Sequence, residues 1–403
     1  MTVTGTTALT NEVKPLYDGD FLMACQAQLY HEPVANLRMV MGDRRGVDYR
    51  WPMVENLPPS ATALTELEDV TPQSMNANEL VVTLQEFGGA IQVTKFLDST
   101  SYSDVLQQAA YNNGYNMAES IDFVVRRTMG QGGRQIFQNN RTARNTIVGQ
   151  STAADRLTTA FLERLAVVFS RSIRMPLFDD GFILTIMHPF VFYDLLQTSD
   201  IRNVAQRVAP EMLFNGEVAA WGGVRIIQSA NAKGFWGSGG ANVASSLATT
   251  LSIAGAVGDA TLTLTAAAAA GNIGQWFAVQ DASEPANTWS DTNELFRVTG
   301  VSGSTVTGFC LDPGPGDSGG LRYAHAALTT FTNANSVYPL VCVGPNSITK
   351  IASEVTGPYG ETVVTGPFDY LGRFLTVGWY ALLGYARTRT GWIVRGECGS
   401  LEA

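Results

Sequence analysis

The sharpest chemistry-bearing motif in the 403-residue chain is Gly316-Asp317-Ser318-Gly319-Gly320. This is how one class of triad hydrolases presents a nucleophilic serine, and His188 lies upstream as the candidate base. A triad needs serine, histidine and aspartate within hydrogen-bond reach, and backbone N–H groups to hold the oxyanion. The surroundings do not supply this. Pro189 directly after His188 marks a helix start, and the turn-forming Asp312-Pro313-Gly314-Pro315 accounts for the glycines by itself.

Other constellations are thinner. His31, His188 and His325 lie far apart with no HxH or HxxxH spacing, so no metal site is expected. Gly130-Gln131-Gly132-Gly133 lacks the Lys-Ser/Thr of a phosphate loop. Glu66, Glu68 and Asp69 read as solvated charge, and Asn140-Arg141-Thr142 is a sequon without a secretory route. Cys25, Cys310, Cys342 and Cys398 show no paired spacing and read as reduced, buried thiols of an intracellular protein. The chain is therefore expected to be neither an enzyme nor a holder of any cofactor.

Charge points two ways. The net charge of −10 argues against a dedicated nucleic-acid binder. Yet between Arg126 and Arg174 nine arginines stand against only Asp155 and Glu163. One reading is subunit-contact salt bridges and solvated helix faces. The other is a basic surface, carried by Arg126, Arg127, Arg134, Arg141 and Arg144, that faces packaged nucleic acid through phosphate contacts.

The elements that must position these residues begin with a long two-stranded excursion. Val47–Val54 opens it, a polar and acidic stretch through 57–78 forms its tip, and Glu79–Phe96 returns. Leu80, Val82 and Leu84 alternate with Val81, Thr83 and Gln85, the period of a strand, and Gly88-Gly89 reads as a bulge. Asp98–Ser101 supplies N-cap residues for a helix over Tyr102–Met129. Exposed strands need partners, so an arm of this kind reads either as a building block of an assembly or as an ordinary hairpin folded back on its own domain.

Before it, residues 1–46 read as an arm with a short helix at Asp20–Tyr30. After it come a loop over Gly130–Gly149, a helix over Ser151–Arg171, and strands at Phe182–Met187 and Trp221–Gln228, an α+β pattern. From Lys233 to Ser336 the composition shifts to Ala, Thr, Gly, Val and Ser. Strands at Thr261–Thr265, Trp276–Gln280 and Leu295–Val301 indicate an all-β unit with seven acids against Arg297 and Arg322. Strands at Val337–Val343, Val377–Leu383 and Trp392–Cys398 close the chain. The N-terminus has no secretory signal, and the alanine-rich Ala254–Ala270, broken by Gly258 and Asp259, cannot span a membrane.

This order of parts, with LPPSATALTELEDVTPQ (Leu57–Gln73), LVVTLQEFGGAIQVTKFLD (Leu80–Asp98), VYPLVCVGPNSI (Val337–Ile348) and TVGWYALLGYARTRTGWIVRGEC (Thr376–Cys398), resembles the major capsid proteins of tailed bacteriophages. The resemblance implies the α+β HK97-like fold, with an all-β insertion added. Its parts would be an N-terminal arm (1–46), an E-loop with a peripheral strand (47–100), a spine helix with the following loop (101–150), an axial domain (151–232), the inserted β-domain (233–336) and a C-terminal return (337–403). It implies self-assembly into hexamers and pentamers of an icosahedral shell around double-stranded DNA, built in the host cytoplasm. Trp51, Glu55, Leu57, Leu64, Glu66, Glu68, Val82 and Leu84 would form the E-loop interface. Scaffolding and portal proteins would be partners, the acidic insert would project outward, either bracing neighbours or receiving a decoration protein, and no membrane is involved. No lysine lies near the E-loop tip, so the covalent cross-link of some relatives is not expected, nor is removal of an N-terminal segment. The competing readings are a chymotrypsin-like serine hydrolase built on Ser318 and an encapsulin-like compartment of the same fold.

Overall fold

A computed structural model of the chain describes residues 31–42, 46–54, 57, 59–61, 63, 66, 69–70, 72–101, 104–131, 133–149, 152–173, 177–178, 181–198, 217–229, 231–236, 247–280, 292–312, 319–368, 371 and 373–401. The Asp20–Tyr30 helix, Cys25 and Gly316–Ser318 lie outside them. In chain order the elements are β1 (Ala35–Met41), β2 (Asp48–Val54), β3 (Ala77–Thr83), β4 (Gln85–Thr94), α1 (Lys95–Thr100) and α2 (Val105–Gly130). Then come β5 (Arg134–Phe137), α3 (Thr159–Val167), β6 (Ile183–Met187), α4 (Pro189–Leu196), β7 (Glu217–Trp221), β8 (Val224–Gln228) and β9 (Phe235–Trp236). Short strands β10 (Ala248–Thr250), β11 (Thr261–Thr263), β12 (Trp276–Gln280), β13 (Glu294–Ser302), β14 (Thr305–Cys310) and β15 (Thr330–Asn333) follow. The chain closes with β16 (Ser336–Val343), β17 (Ile348–Ser353), β18 (Glu361–Phe368), β19 (Phe374–Arg387) and β20 (Ile393–Gly399). Among the described residues, 35–121 and 348–388 form one unit, and 31–34, 122–347 and 389–401 form another.

The first unit is built on β19, whose fourteen residues are long enough to serve β17, β18 and β4 in turn. Residues 35–41, expected to be part of an arm, instead run parallel to β17 as a sheet strand. Met117, Ala118 and Ile121 of α2 pack on Ala352, Trp379, Ala381 and Leu383. The helix starts three residues later than its expected bound. Asp104 accepts from the Gln107 N–H at 3.1 Å, and the cap-rich residues before it form the separate short helix α1.

Gly88 and Gly89 are no bulge, because β4 keeps an unbroken register against β19. Glycine is needed here for approach. A Cβ on Gly89 would lie 2.9 Å from Trp379 Nε1 and 3.0 Å from Asn116 Oδ1. Those two atoms share a 3.0 Å hydrogen bond joining β19 to α2. Gly89→Ala is expected to destabilise the unit by about 2 kcal/mol, read as a lowered urea midpoint.

In the second unit a sheet in the order β5-β20-β16-β6-β8-β7, with β9 also on β16, carries α3 and α4. Phe161, Leu162 and Leu165 of α3, and Val191, Phe192 and Leu195 of α4, bury against Ile183, Met187, Val224, Ile226, Leu340 and Val394. The segment read as a loop over 130–149 contains β5, which pairs in parallel with β20. The helix expected over Ser151–Arg171 is α3 followed by a π-helical turn, Val168–Ile173. Gly222 and Gly223, at φ +57° and +86°, make the two-residue turn joining β7 to β8. Pro339 stands in central β16 where that edge changes partner from β9 to β6, so its missing N–H costs least.

Between β9 and β16 lies a six-stranded sheet in the order β10-β15-β12-β13-β14-β11. Its outer strands also meet. Ser252 N–H donates to the Thr263 carbonyl at 2.8 Å and Thr265 N–H to the Thr250 carbonyl at 2.9 Å, around the Leu251–Leu264 bridge. The sheet thus closes into a small barrel, a solution that removes exposed strand edges. Leu251, Leu262, Leu264, Phe277, Val279, Phe296, Val298, Val306 and Phe331 fill it. The buried Glu294 carboxyl is held by the N–H groups of Arg322 and Tyr323 and by His325 Nε2 at 3.0 Å.

Candidate assembly surface

The excursion is a real hairpin. β2 pairs with β3 from Asp48↔Thr83 to Val54↔Ala77. After Leu84 the chain leaves β2 and joins β19 as β4, so β2 and β3 form a two-stranded sheet separate from the one built on β19. Strand alternation puts Leu80, Val82 and Leu84 on one face with Tyr49 and Trp51, against Ile351. Val82 is 1% exposed. Val82, expected at a subunit interface, is therefore buried within its own subunit, while Trp51 and Leu84, expected there too, are half-buried beside it. Leu57 and Glu66 are exposed at the tip, beside exposed Val70 and Met75. Glu55, Leu64 and Glu68 lie outside the described residues.

The arginine-rich stretch does not form one surface. Arg126 is buried, donates to the Asn231 carbonyl at 2.5 Å and lies 3.9 Å from Asp312. Its guanidinium covers one side of contact with Phe123, and Arg322 also stacks on that ring. Arg144 is buried and grips Glu397 with Nε and Nη2 at 2.8 and 2.9 Å. Arg395 Nε lies 2.8 Å from the same carboxylate, and both guanidiniums stack on Phe235. Burial excludes Arg126 and Arg144 from any genome-facing surface. Arg141 is half-buried and paired with Asp155 at 2.9 Å. Burial raises the Asp155 carboxyl, but hydrogen bonds from Arg141, the Val148 N–H and Asn139 overcome it and leave the group below its usual value. Arg127 and Arg134 remain exposed, at the last turn of α2 and the first residue of β5.

The Arg144–Glu397–Arg395 cluster went unnoticed in the sequence. Its signal was there. Arg395 and Glu397 stand two apart in a strand, hence on one face, inside an otherwise apolar run. A second buried polar junction joins His31 to α2. Its N–H and Nδ1 meet the two oxygens of Asp122 at 2.7 and 2.8 Å, and Asn231 donates to the same carboxylate.

His188 caps α4, its Nδ1 accepting from the Phe190 N–H at 3.3 Å, with Pro189 at the first helical position as expected. It stacks on Tyr338 at 4.9 Å. Burial lowers its pKa to about 4, against an opposing pull from Asp312. Between pH 6.5 and 4 the unfolded chain then binds a proton that the folded chain refuses, so stability falls on acidification by about 3 kcal/mol. His188→Asn, which keeps a capping acceptor, is expected to flatten that slope in denaturation measured across this range. Cys310, Cys342 and Cys398 are free and buried, and burial raises all three thiols, Cys342 to about 12. Such thiols are poor nucleophiles. No group of three His, Cys, Asp or Glu among the described residues is placed to hold a metal ion. Among those residues no helix is long and apolar enough to cross a membrane.

Neither a family model nor a curated protein matches this sequence. Solved structures do match its backbone. The cyanophage Pam1 capsid asymmetric unit superposes with a TM-score of 0.54 at 11% identity, over 100% of this chain and 96% of that one. The capsid of Ralstonia phage GP4 gives 0.51 at 10% identity, over 91% and 87%. The capsid of Helicobacter pylori bacteriophage KHP30 gives 0.50 at 11% identity, over 92% and 91%. The fold is a phage-capsid fold. It is the α+β, HK97-like architecture. At this identity the match shows the fold alone; what the capsid fold does here has to come from this chain's own surfaces.

Proposed function

We propose that this chain is a major capsid protein, self-assembling into hexamers and pentamers of an icosahedral shell that encloses double-stranded phage DNA. The observation that carries the reading is the match to the Pam1 capsid asymmetric unit, which spans 100% of this chain and 96% of that one. The hairpin supports it. Its tip exposes Leu57, Val70 and Met75, at 49, 58 and 68%. A strand pair of this kind is stabilised by lying across a neighbour, and a closed shell multiplies modest contacts.

In this reading the chain is structural and not catalytic, and it acts in the virion after assembly in the host cytoplasm. Scaffolding and portal proteins are its partners, and packaged DNA meets it without sequence-specific contacts. The closed barrel offers no strand edge, so a decoration protein would engage its side chains, among which Ile253 and Leu328 are exposed. Sedimentation velocity of the recombinant protein, alone and with a co-encoded scaffold, tests the proposal. Capsomer-sized or shell-sized species are expected; a monomer under both conditions would refute it. Lys95 is exposed at the start of α1, Lys233 and Lys350 are buried, and the hairpin from 51 to 94 contains no lysine of its own. Boiled, denatured particles should therefore release intact single chains on a gel, and a ladder of cross-linked multimers would contradict this.

A further inference from the structure

We propose that Leu328 and Ile253 of the small barrel form a rigid apolar anchor that meets the same patch on the barrel of a second copy in the assembled shell. The inference rests on the capsid reading and gives the barrel a role in it. Two loops carry the patch, residues 251–260 between β10 and β11 and residues 321–329 ahead of β15. Backbone hydrogen bonds zip them together. The Leu328 N–H donates to the Leu251 carbonyl at 2.8 Å, Gly255 and His325 exchange a pair at 2.9 Å, and the Leu321 N–H donates to the Asp259 carbonyl at 3.0 Å. On this platform Ile253 is 63% and Leu328 72% exposed, with Ala254, Ala326 and Ala327 exposed next to them in the chain.

Leu328 is an unusual choice for its position. It is the third residue of a turn closed by the Thr329 N–H on the Ala326 carbonyl at 3.3 Å, and its φ of +70° is the conformation such a turn ordinarily gives to glycine. A leucine there strains the backbone and, being exposed, gains no burial within its own subunit. Strain kept at an exposed apolar residue points to a contact made by its side chain. Because the loops are already fixed, little freedom is lost on docking.

Charge and size indicate the partner. Residues 249–257 and 323–330 contain no Asp, Glu, Lys or Arg, while between 247 and 333 seven acids stand against two arginines. Copies of so acidic a barrel repel one another, and an uncharged apolar patch is where they meet at least cost. Such a patch also complements itself, as a two-fold contact requires. Five side chains are far fewer than the roughly 20–30 residues a side of an interface that holds a free complex together. The patch therefore suits neighbours already placed side by side in a shell, where a weak contact is repeated, better than a decoration protein arriving from solution.

The test uses the full-length protein produced with its scaffold. Leu328→Gly with Ile253→Ser removes the anchor at exposed positions, and the glycine relieves the turn, so the subunit's unfolding midpoint should equal or exceed that of the wild type. Shells should still form, but their rate of dissociation in urea is expected to rise at least about tenfold. In a second variant, Leu328→Cys, a short bis-maleimide should join chains in pairs within shells and not among dispersed subunits, with the wild type as control. Shells of the first variant that dissociate at the wild-type rate, or shells of the second that yield no joined pairs, would overturn the inference and leave the capsid reading intact. So would a Leu328→Cys thiol that reacts with maleimide in shells of this chain alone and is shielded in virions, which would assign the patch to a decoration protein. Absence of shells from the wild type would overturn the capsid reading and this contact with it.

Discussion

Replacing residues 55–76 by a two-residue Asn-Gly turn between β2 and β3 will leave the subunit folded and abolish shell formation. Val54↔Ala77 is the last pair of the hairpin, so a tight turn can close it there without changing register. The apolar residues removed, including Leu57, Val70 and Met75, are exposed and contribute little to the subunit's own core. The base, where Val82 meets Ile351, is untouched. Thermal unfolding of the shortened chain should therefore stay close to wild type. Assembly should fall at least about a hundredfold, because every subunit both gives and receives the lost contact and the losses multiply around a ring. Sedimentation velocity reads both states, and shells at wild-type yield would show that the hairpin is not an assembly element.

The largest effect on stability is expected at Glu397. The carboxylate is fully buried and shared between Arg144 and Arg395. Arg395 also donates to the Gly130 carbonyl at the end of α2, so one cluster fastens β20, the 144–146 turn and the helix terminus. Glu397→Ala leaves two guanidiniums buried without their counter-charge and should destabilise the second unit by about 3–5 kcal/mol. The comparison is Glu79→Ala. Its partner Arg50 lies at 3.5 Å and both side chains are at least half exposed, so removal should cost under about 0.5 kcal/mol. Urea midpoints of the two variants check the contrast. Near-equal values would mean that the buried cluster is compensated by water or rearrangement.

Much of this architecture could be read from periodicity. Strong alternation located β3 and β19, and Pro189 located α4 to the residue. The arginines were harder, since a run of nine says nothing about depth. Only the fold shows that Arg144 reaches Glu397, 253 positions away, while Arg127 remains outside. Gly88-Gly89 misled because glycine serves close approach as readily as a bulge, and the Trp379 indole that needs the space is remote in sequence. Strand β1 was hidden because its pairing partner, β17, lies some three hundred residues away. Closure of the barrel was likewise invisible, since it rests on two backbone hydrogen bonds between strands whose sequences say only that they are strands.

If the chain builds a shell by laying its hairpin across a neighbour, cryo-electron microscopy of particles assembled from the recombinant protein and its scaffold will show rings of six and five copies in a closed shell, with each β2–β3 hairpin lying on an adjacent subunit. A dispersed monomer, or an assembly in which the hairpins project into solvent and touch no second copy, would contradict it.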